Sequence, residues 1–170
     1  MKQIRIEKLT LNFGAGADQR KLAKGEQLIE MIAGKAPVRT RAKKRVPTWG
    51  TRPGLPIGAK LTLRGEEAQA LAKRLIEAKE FMLSLRNFDE NGNISFGIHE
   101  YVDIPGVKYN PELGIIGLEA SITLTRPGFR VKSRKVMKRH VPHRHRIERQ
   151  DAISFLKEAF NVKIKEEIEQ

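Results

Sequence analysis

Residues 57–64 read IGAKLTLR and predict a β-strand, because apolar and polar side chains alternate along them. The residues predicted to face a core are Ile57, Ala59, Leu61 and Leu63, and those predicted to face outward are Lys60, Thr62 and Arg64. Residues 114–125, GIIGLEASITLT, repeat the alternation. Here the inward set is Ile116, Leu118, Ala120, Ile122 and Leu124, and the outward set is Glu119, Ser121, Thr123 and Thr125. Strands apolar on one side only are typical of an antiparallel sheet with one solvated face.

A third alternating stretch, residues 4–13 (IRIEKLTLNF), changes phase between Ile6 and Leu9. One extra residue in a strand is a β-bulge, so we expect a bulge at this point. Beyond it, the alternation puts Lys8, Thr10 and Asn12 on the outward face.

The segments between these strands predict helices and shorter extended pieces. Asp18 is a plausible N-cap for a helix that runs to about Ala33, where Gly34 follows as a C-terminal residue. A second helix is expected from about residue 66 to residue 83, and a third after Arg146. Short extended segments are predicted at residues 38–42 and 94–97, with a possible edge strand at residues 162–164.

These elements predict an α+β fold: one domain over residues 1–170, with a mostly antiparallel sheet, helices on one face and a polar face opposite. Basic loops are expected to project near residues 41–56 and 126–147. A chain of 170 residues with 39% hydrophobic residues is long enough to bury a core. No apolar run reaches the roughly 20 residues of a membrane helix, and the N-terminal stretch lacks the pattern of a signal peptide. The sequence contains no cysteine, which excludes disulfides.

The net charge of +13 is concentrated in two blocks. Residues 1–64 carry a net +11 and residues 126–150 a net +9, whereas residues 65–125 carry −5. No acid occurs in residues 31–65 or 120–147. A surface that served solubility alone would intersperse the two signs, so the blocks favour a binding footprint for a polyanion, most simply nucleic acid.

The polar face of the sheet adds to this interpretation. Its Lys, Arg, Thr and Asn side chains can hydrogen-bond phosphates and 2′-hydroxyls. The alternative is an ordinary solvated face, which antiparallel sheets commonly have. Because an acid-free stretch crosses part of this face, we favour RNA. The outward positions lack the aromatic pairs on which some RNA-binding sheets stack bases, so structured RNA read through backbone and shape fits better.

The sequence contains no complete catalytic or cofactor motif. The turn at Gly14 and Gly16 lacks the third glycine of a dinucleotide motif and the Gly-Lys-Ser/Thr of a phosphate loop. His140, His143 and His145 lie close in sequence, but they sit among Arg and Lys and no carboxylate is near to complete a metal site. Adjacent acidic pairs are explained as helix-terminal or turn residues. The sequence therefore predicts a protein that is not an enzyme and holds no cofactor or metal.

The loop at residues 45–54, RVPTWGTRPG, combines Pro and Gly with Arg and one tryptophan. Such a loop is stiff enough to project and basic enough to touch RNA, and we expect it to become ordered on binding. Trp49 has two interpretations at this stage: an exposed indole that packs on a sugar or base, or an anchor tucked against the sheet.

Taken together, four stretches make the chain similar to a known family. LTLNFGAGAD, GKAPVRTRAKKRV, GLPIGAKLTLRGEEAQ and FDENGNISFGIHEY resemble the universal ribosomal protein L-five family, and PIGAKLTLRGE is the most specific of them. RPGFRVKSRK with HRIERQDAISFLKEAFNV resembles its archaeal and eukaryotic branch, and the archaeal members are the expected relatives.

The resemblance implies a cytoplasmic protein of the large ribosomal subunit. That family binds 5S ribosomal RNA in the central protuberance, contacts large-subunit ribosomal RNA and P-site transfer RNA, and forms an inter-subunit bridge with a small-subunit head protein. No membrane partner or homo-oligomer is expected.

Site residues follow from the resemblance and the strand pattern together. Those expected to bind 5S ribosomal RNA are Lys8, Thr10, Asn12, Lys35, Pro37, Arg39, Thr40, Lys60, Thr62 and Arg64. Those expected to contact transfer RNA are Arg45, Thr48, Trp49, Gly50, Thr51 and Arg52. Further ribosomal RNA contacts are expected from Arg130, Lys132, Arg134, Lys135, Lys138, Arg139, His143 and Arg144.

Two other functions remain open at this stage. An extra-ribosomal RNA chaperone or regulator would use the same basic surface. A nuclease or nucleotidyl enzyme built on the histidine cluster would require metal-dependent turnover.

Overall fold

The computed structural model of the chain describes residues 1–165. The strands in this part are β1 (Arg5–Gly14), β2 (Val38–Arg41), β3 (Pro56–Leu63), β4 (Met82–Ser84), β5 (Ile94–Ile98), β6 (Leu118–Thr125) and β7 (Lys163–Lys165). The α-helices are α1 (Gln19–Ala33), α2 (Gly65–Glu77), α3 (Arg130–Ser133) and α4 (Arg149–Phe160). Single turns of 3-10 helix occur at Pro47–Trp49, Leu85–Asn87, Tyr101–Asp103 and His143–His145. Within residues 1–165, no helix is both long and apolar enough to cross a membrane.

Five strands form one antiparallel sheet in the order β2-β3-β1-β6-β5. The first strand of the chain is therefore central, with β3 on one side and β6 on the other. α1 and α2 pack against β1 and β3, and Leu156 of α4 belongs to the same core. This confirms the predicted α+β class.

The predicted bulge in β1 is confirmed. Ile6 pairs with Leu124 of β6 and Lys8 pairs with Thr123, so Glu7 is the extra residue. Because of this shift Ile6 and Leu9 both point into the core.

The first helix has the predicted caps and a close approach to the sheet. The side chain of Asp18 accepts hydrogen bonds from the backbone N–H groups at the helix start, and Gly34 ends the helix in the left-handed conformation. A Cβ at Gly25 would lie 2.0 Å from Cδ1 of Phe13. Glycine at this position thus lets α1 approach the ring of Phe13 on β1.

The second helix is shorter than predicted. It ends at Glu77 instead of residue 83, and Met82 and Leu83 belong to β4. Glu80 and Phe81 have positive φ values of 54° and 57°, which turn the chain away from the helix axis. Neither residue is Gly or Pro, and the apolar residues that follow continue a helical pattern, so the sequence carried no stop signal.

The C-terminal strand exists, but it does not extend the main sheet. β7 pairs in parallel with β4, with Ile164 opposite Leu83, in a separate two-stranded sheet. β6 begins at Leu118, later than predicted, and Ile116 lies half-buried before it.

Candidate RNA interface

The face of the sheet opposite the helices carries polar side chains in cross-strand rows. In one row Asn12 lies between Lys60 of β3 and Glu119 of β6, and in the next Thr10 lies between Thr62 and Ser121. We call this surface the polar face. Its members are Lys8, Thr10, Asn12, Thr40, Lys60, Thr62, Arg64, Glu119, Ser121, Thr123 and Thr125. The side chains of the β3 members are exposed and those of the β1 members are half-buried, so the face is a shallow trough of hydrogen-bonding groups.

The residues expected to bind 5S ribosomal RNA include none of the four polar-face members on β6, and Glu119 is the acidic one among these four. The amide Nδ2 of Asn12 donates a hydrogen bond of 2.9 Å to Oε2 of Glu119. The alternation of β6 already pointed Glu119 outward, and this was the signal that could have found it.

Arg64, at the end of β3, has an acidic neighbour. Its Nη1 lies 3.6 Å from Oε1 of Glu7, and the Arg64 side chain is 61% exposed. An exposed pair at this distance contributes little to stability. The guanidinium therefore remains open to a phosphate.

The edge strand β2 places its residues on both faces of the sheet. Thr40 pairs with Gly58 and lies on the polar face, whereas Arg39 pairs with Ala59 and lies on the helix side. Nε of Arg39 donates to Oε1 of Glu26 in α1 at 2.5 Å, and Nη2 donates to Oε2 at 3.0 Å. These hydrogen bonds lower the pKa of Glu26 and raise the pKa of Arg39. The structure does not bring Arg39 together with the polar face.

Lys35 and Pro37 occupy the connection between α1 and β2. Nζ of Lys35 pairs with the carboxylate of Glu67 at 2.5 Å, with both side chains more than half exposed. This exposed pair ties the connection to the first turn of α2, and Pro37 lies half-buried before β2.

Residues 45–54, which we call the tip loop, continue from the β2–β3 hairpin. The N–H of Ala42 donates to the carbonyl of Leu55, and Val46 and Thr51 exchange backbone hydrogen bonds. The loop was expected to become ordered on binding, but these bonds already close it within the chain itself.

Trp49 is 72% exposed at the apex of the tip loop. Its indole is therefore exposed to solvent and is not an anchor tucked against the sheet. The candidate residues Arg45, Thr48, Gly50 and Arg52 are exposed as well, whereas Thr51 is only 6% exposed. Thr51 therefore holds the loop instead of presenting a side chain to a partner.

Residues 126–147, which we call the basic lobe, are organised around a buried arginine. Arg126 follows β6 with only 9% of its side chain exposed. Its Nη1 donates to the carbonyl of Arg146 at 2.8 Å, and its Nη2 lies 2.9 Å from Oδ2 of Asp151 in α4. Both ends of the lobe are thus held by one guanidinium. Its Nε is buried without a hydrogen-bond partner among the described residues.

Further contacts fix the interior of the basic lobe. The rings of Phe129 and His145 meet edge to face with centroids 5.6 Å apart, and Nζ of Lys132 lies 4.6 Å from the centroid of Phe129. Nε2 of His145 is 2.9 Å from the carbonyl oxygen of Pro127. His145 is therefore a structural residue of the lobe.

The surface of the basic lobe carries every residue that was proposed there for ribosomal RNA. Arg130, Lys132, Arg134, Lys135, Lys138, Arg139, His143 and Arg144 are exposed. At the apex, Val136 and Met137 are 72% and 70% exposed. Nε of Arg134 donates to the carbonyl of Met137, which has a positive φ of 52°. Among residues 1–165, no three His, Asp or Glu side chains cluster as metal ligands.

Comparison with known proteins gives matches along nearly the whole chain. The family model described as ribosomal protein L5 matches residues 1–52, and the model of the C-terminus of the same ribosomal family matches residues 56–155. Each of the relatives below is named large ribosomal subunit protein uL5. The one from Nanoarchaeum equitans is 48% identical over 165 residues, covering 96% of this chain and 97% of the relative. The one from Sulfurisphaera tokodaii is 46% identical, covering 98% and 94%, and that from Nitrosopumilus maritimus is 45% identical, covering 96% and 95%.

Proposed function

Because the chain belongs to the ribosomal protein L5 (uL5) family and is a structural, non-enzymatic protein of the large ribosomal subunit, we propose that its polar face binds 5S ribosomal RNA. The observation that carries the proposal is the set of cross-strand rows joining Lys60 to Asn12 and Thr62 to Thr10. These rows combine cationic groups for phosphates with hydroxyl and amide groups for ribose and base edges. The protein would act in the ribosomes of the cytoplasm, in the central protuberance.

Within this proposal, Lys8, Thr10, Asn12, Thr40, Lys60, Thr62 and Arg64 form the direct contact surface. Lys35, Pro37 and Arg39 border it. Since Arg39 and Lys35 are engaged with Glu26 and Glu67, RNA contact by either would require sharing or breaking an exposed pair. Such pairs are worth about 0–1 kcal/mol, so this costs little.

We assign the tip loop to P-site transfer RNA. Trp49 offers an indole face, and Arg45 and Arg52 flank it with exposed positive charge. Stacking of a base or sugar on an aromatic ring beside basic side chains is a common mode of RNA contact. Thr48 and Gly50 complete the exposed apex, while buried Thr51 supports it.

The basic lobe would contact large-subunit ribosomal RNA through the exposed basic residues named above. Its guanidinium anchor and its Phe129–His145 contact give it a defined shape before binding, which reduces the ordering cost. A small-subunit head protein is the proposed partner in an inter-subunit bridge.

The test is binding of the purified chain to 5S ribosomal RNA and to an unrelated RNA of equal length. Asn12→Ala and Thr62→Ala should each weaken 5S binding by about 1 kcal/mol, the net value of a typical hydrogen bond. Ser154→Ala, on an exposed part of α4, is the matched control and should change nothing. Undiminished binding by both polar-face variants would refute the assignment.

The salt dependence provides a second measurement on the same complex. Phosphate contacts release counterions, so the logarithm of the association constant should fall with log salt by about 0.7 to 0.9 per neutralised phosphate. Binding that is insensitive to salt would contradict an interface built on Lys and Arg.

An extra-ribosomal RNA chaperone would use the same residues, and sedimentation of a cell extract distinguishes it. A ribosomal constituent travels stoichiometrically with large subunits. A pool that remains mainly free would favour the chaperone.

A further inference from the structure

Glu119 places a carboxylate in the middle of a surface that otherwise suits a polyanion. It is exposed, and Lys60 is separated from it by Asn12. Two strand spacings amount to about 10 Å between backbones, and no ion pair joins the two side chains among the described residues. The negative charge therefore opposes phosphate binding at this position, which calls for a compensating role.

The carboxylate is held in a defined orientation. Oε2 accepts the hydrogen bond from Asn12, while Oε1 accepts none from residues 1–165. The bond also orients the Asn12 amide, whose nitrogen points to Glu119. A ligand therefore meets two adjacent acceptors: Oε1, which accepts no hydrogen bond from residues 1–165, and Oε2, which accepts one and can accept a second.

Space for a flat group exists beside Glu119. Gly97 of the edge strand β5 is its cross-strand neighbour, and a Cβ built at Gly97 would meet no atom within 4 Å. The open depression here has a volume of about 560 Å³ and is lined by Thr10, Asn12, Lys60, Gly97, Glu119 and Ser121, among others. The amide of Asn87, at its border, is already hydrogen-bonded to the backbone at Ser84 and Ser95.

We propose that Glu119 reads an unpaired guanine of the bound RNA, with the base lying over Gly97. This deepens the proposed function and rests on it. Of the four RNA bases, guanine alone presents two adjacent donors, N1–H and N2–H, on its Watson–Crick edge, and these match the two oxygens of a carboxylate. The Ser121 hydroxyl, two residues along β6 on the same face, can donate to guanine O6. Unpaired bases read on their Watson–Crick edge are the usual basis of sequence-specific RNA recognition.

The proposal predicts opposite effects on two kinds of RNA. Glu119→Gln retains the size of the side chain but replaces an acceptor oxygen with a donor. Its affinity for the cognate RNA should fall about tenfold, within the range of a lost bidentate base contact. Affinity for unrelated RNA should stay equal or rise, because one negative charge is removed. The control is Glu112→Gln, an equal charge change at an exposed acid outside the polar face, which should not weaken cognate binding.

The site is located by chemical footprinting on total large-subunit ribosomal RNA with kethoxal, which reacts with N1 and N2 of unpaired guanine. The wild-type chain should protect a guanine that Glu119→Gln leaves reactive. Gly97→Val, which fills the depression without changing charge, should lose the same protection. Inosine at that position, which lacks the N2 amino group, should weaken the wild type about tenfold and Glu119→Gln no further.

Three results would overturn the proposal. One is an unchanged footprint in Glu119→Gln. If binding by this variant were weakened all the same, the role of Glu119 would be to orient the side chain of Asn12. Another is stronger cognate binding by this variant, and the third is indifference of the wild type to inosine. A Glu119-dependent guanine found in the large RNA and not in 5S would support the guanine site while refuting the 5S assignment, so the two failures are distinguishable.

Discussion

Replacing Arg126 with Met tests whether the basic lobe is held by a single buried guanidinium. The variant keeps an unbranched side chain of similar length but loses the hydrogen bonds to the carbonyl of Arg146 and to Asp151. Hydrogen bonds of charged groups are each worth about 1.5–3 kcal/mol. Two effects reduce the loss: Asp151 is 39% exposed and regains water, and the unpartnered buried Nε disappears.

The free energy of unfolding should fall by about 2 kcal/mol, which is the loss of the two hydrogen bonds reduced by these two effects. For a chain of this size, that corresponds to a decrease in Tm of roughly 4–8 °C. Thermal unfolding followed by circular dichroism measures it. Arg130→Met removes the same charge from an exposed position of the lobe and should leave Tm nearly unchanged.

A double-mutant cycle sharpens the test. Asp151→Asn should cost about 1 kcal/mol alone, and much less in the Arg126→Met background, because the partner is already absent. Additive effects, or a Tm for Arg126→Met equal to that of Arg130→Met, would refute the view that this residue anchors the lobe.

Three other perturbations have defined outcomes. Hydrogen bonds with Arg39 lower the pKa of Glu26. The pair therefore stabilises the fold above the ordinary glutamate pKa, near 4.3, and this stabilisation is lost as the pH falls. We expect the Tm difference between wild type and Glu26→Gln to shrink below about pH 4.3. Gly25→Ala drives a methyl group into the ring of Phe13 and should destabilise the fold by about 1–3 kcal/mol in denaturant unfolding. Trp49→Ala should spare 5S binding and alter the placement of P-site transfer RNA, measured by footprinting on assembled ribosomes.

Each of these has its own control. Glu30→Gln, an exposed acid of α1, should show no such pH-dependent difference, and a constant Tm gap for Glu26→Gln would contradict the pair. Adding Phe13→Leu to Gly25→Ala should recover stability if the clash is the cause. Loss of 5S binding in Trp49→Ala would mean that the tip loop belongs to the 5S surface.

Much of the sheet could be predicted from the sequence because burial on one face imposes a strict alternation. The strands at Ile57, Leu118 and Leu9, the bulge after Ile6 and both caps of α1 have local signals. The strand order β2-β3-β1-β6-β5 has no local signal in the sequence, because it depends on which strands meet in space.

The features that the sequence did not indicate depend on tertiary contacts. The end of α2 is set by a turn at Glu80 and Phe81 and by the pairing of Leu83 with β7, which lies about eighty residues away. The pairing of Arg39 with Glu26 on the helix side depends on the register of β2 against β3, which no local pattern indicates. The bond between Asn12 and Glu119 joins residues 107 positions apart, so no short-range motif indicates it.

The central position of β1 also has a consequence for synthesis. This strand is the first to be made, but its neighbour β6 ends at Thr125, so one edge of β1 has no partner strand until more than a hundred further residues are made. Folding from the N-terminus onward cannot complete the core, because these pairings are long-range. The nascent chain must therefore carry the β6-facing edge of β1 unpaired through most of its translation, and unpaired strand edges make such intermediates prone to aggregate.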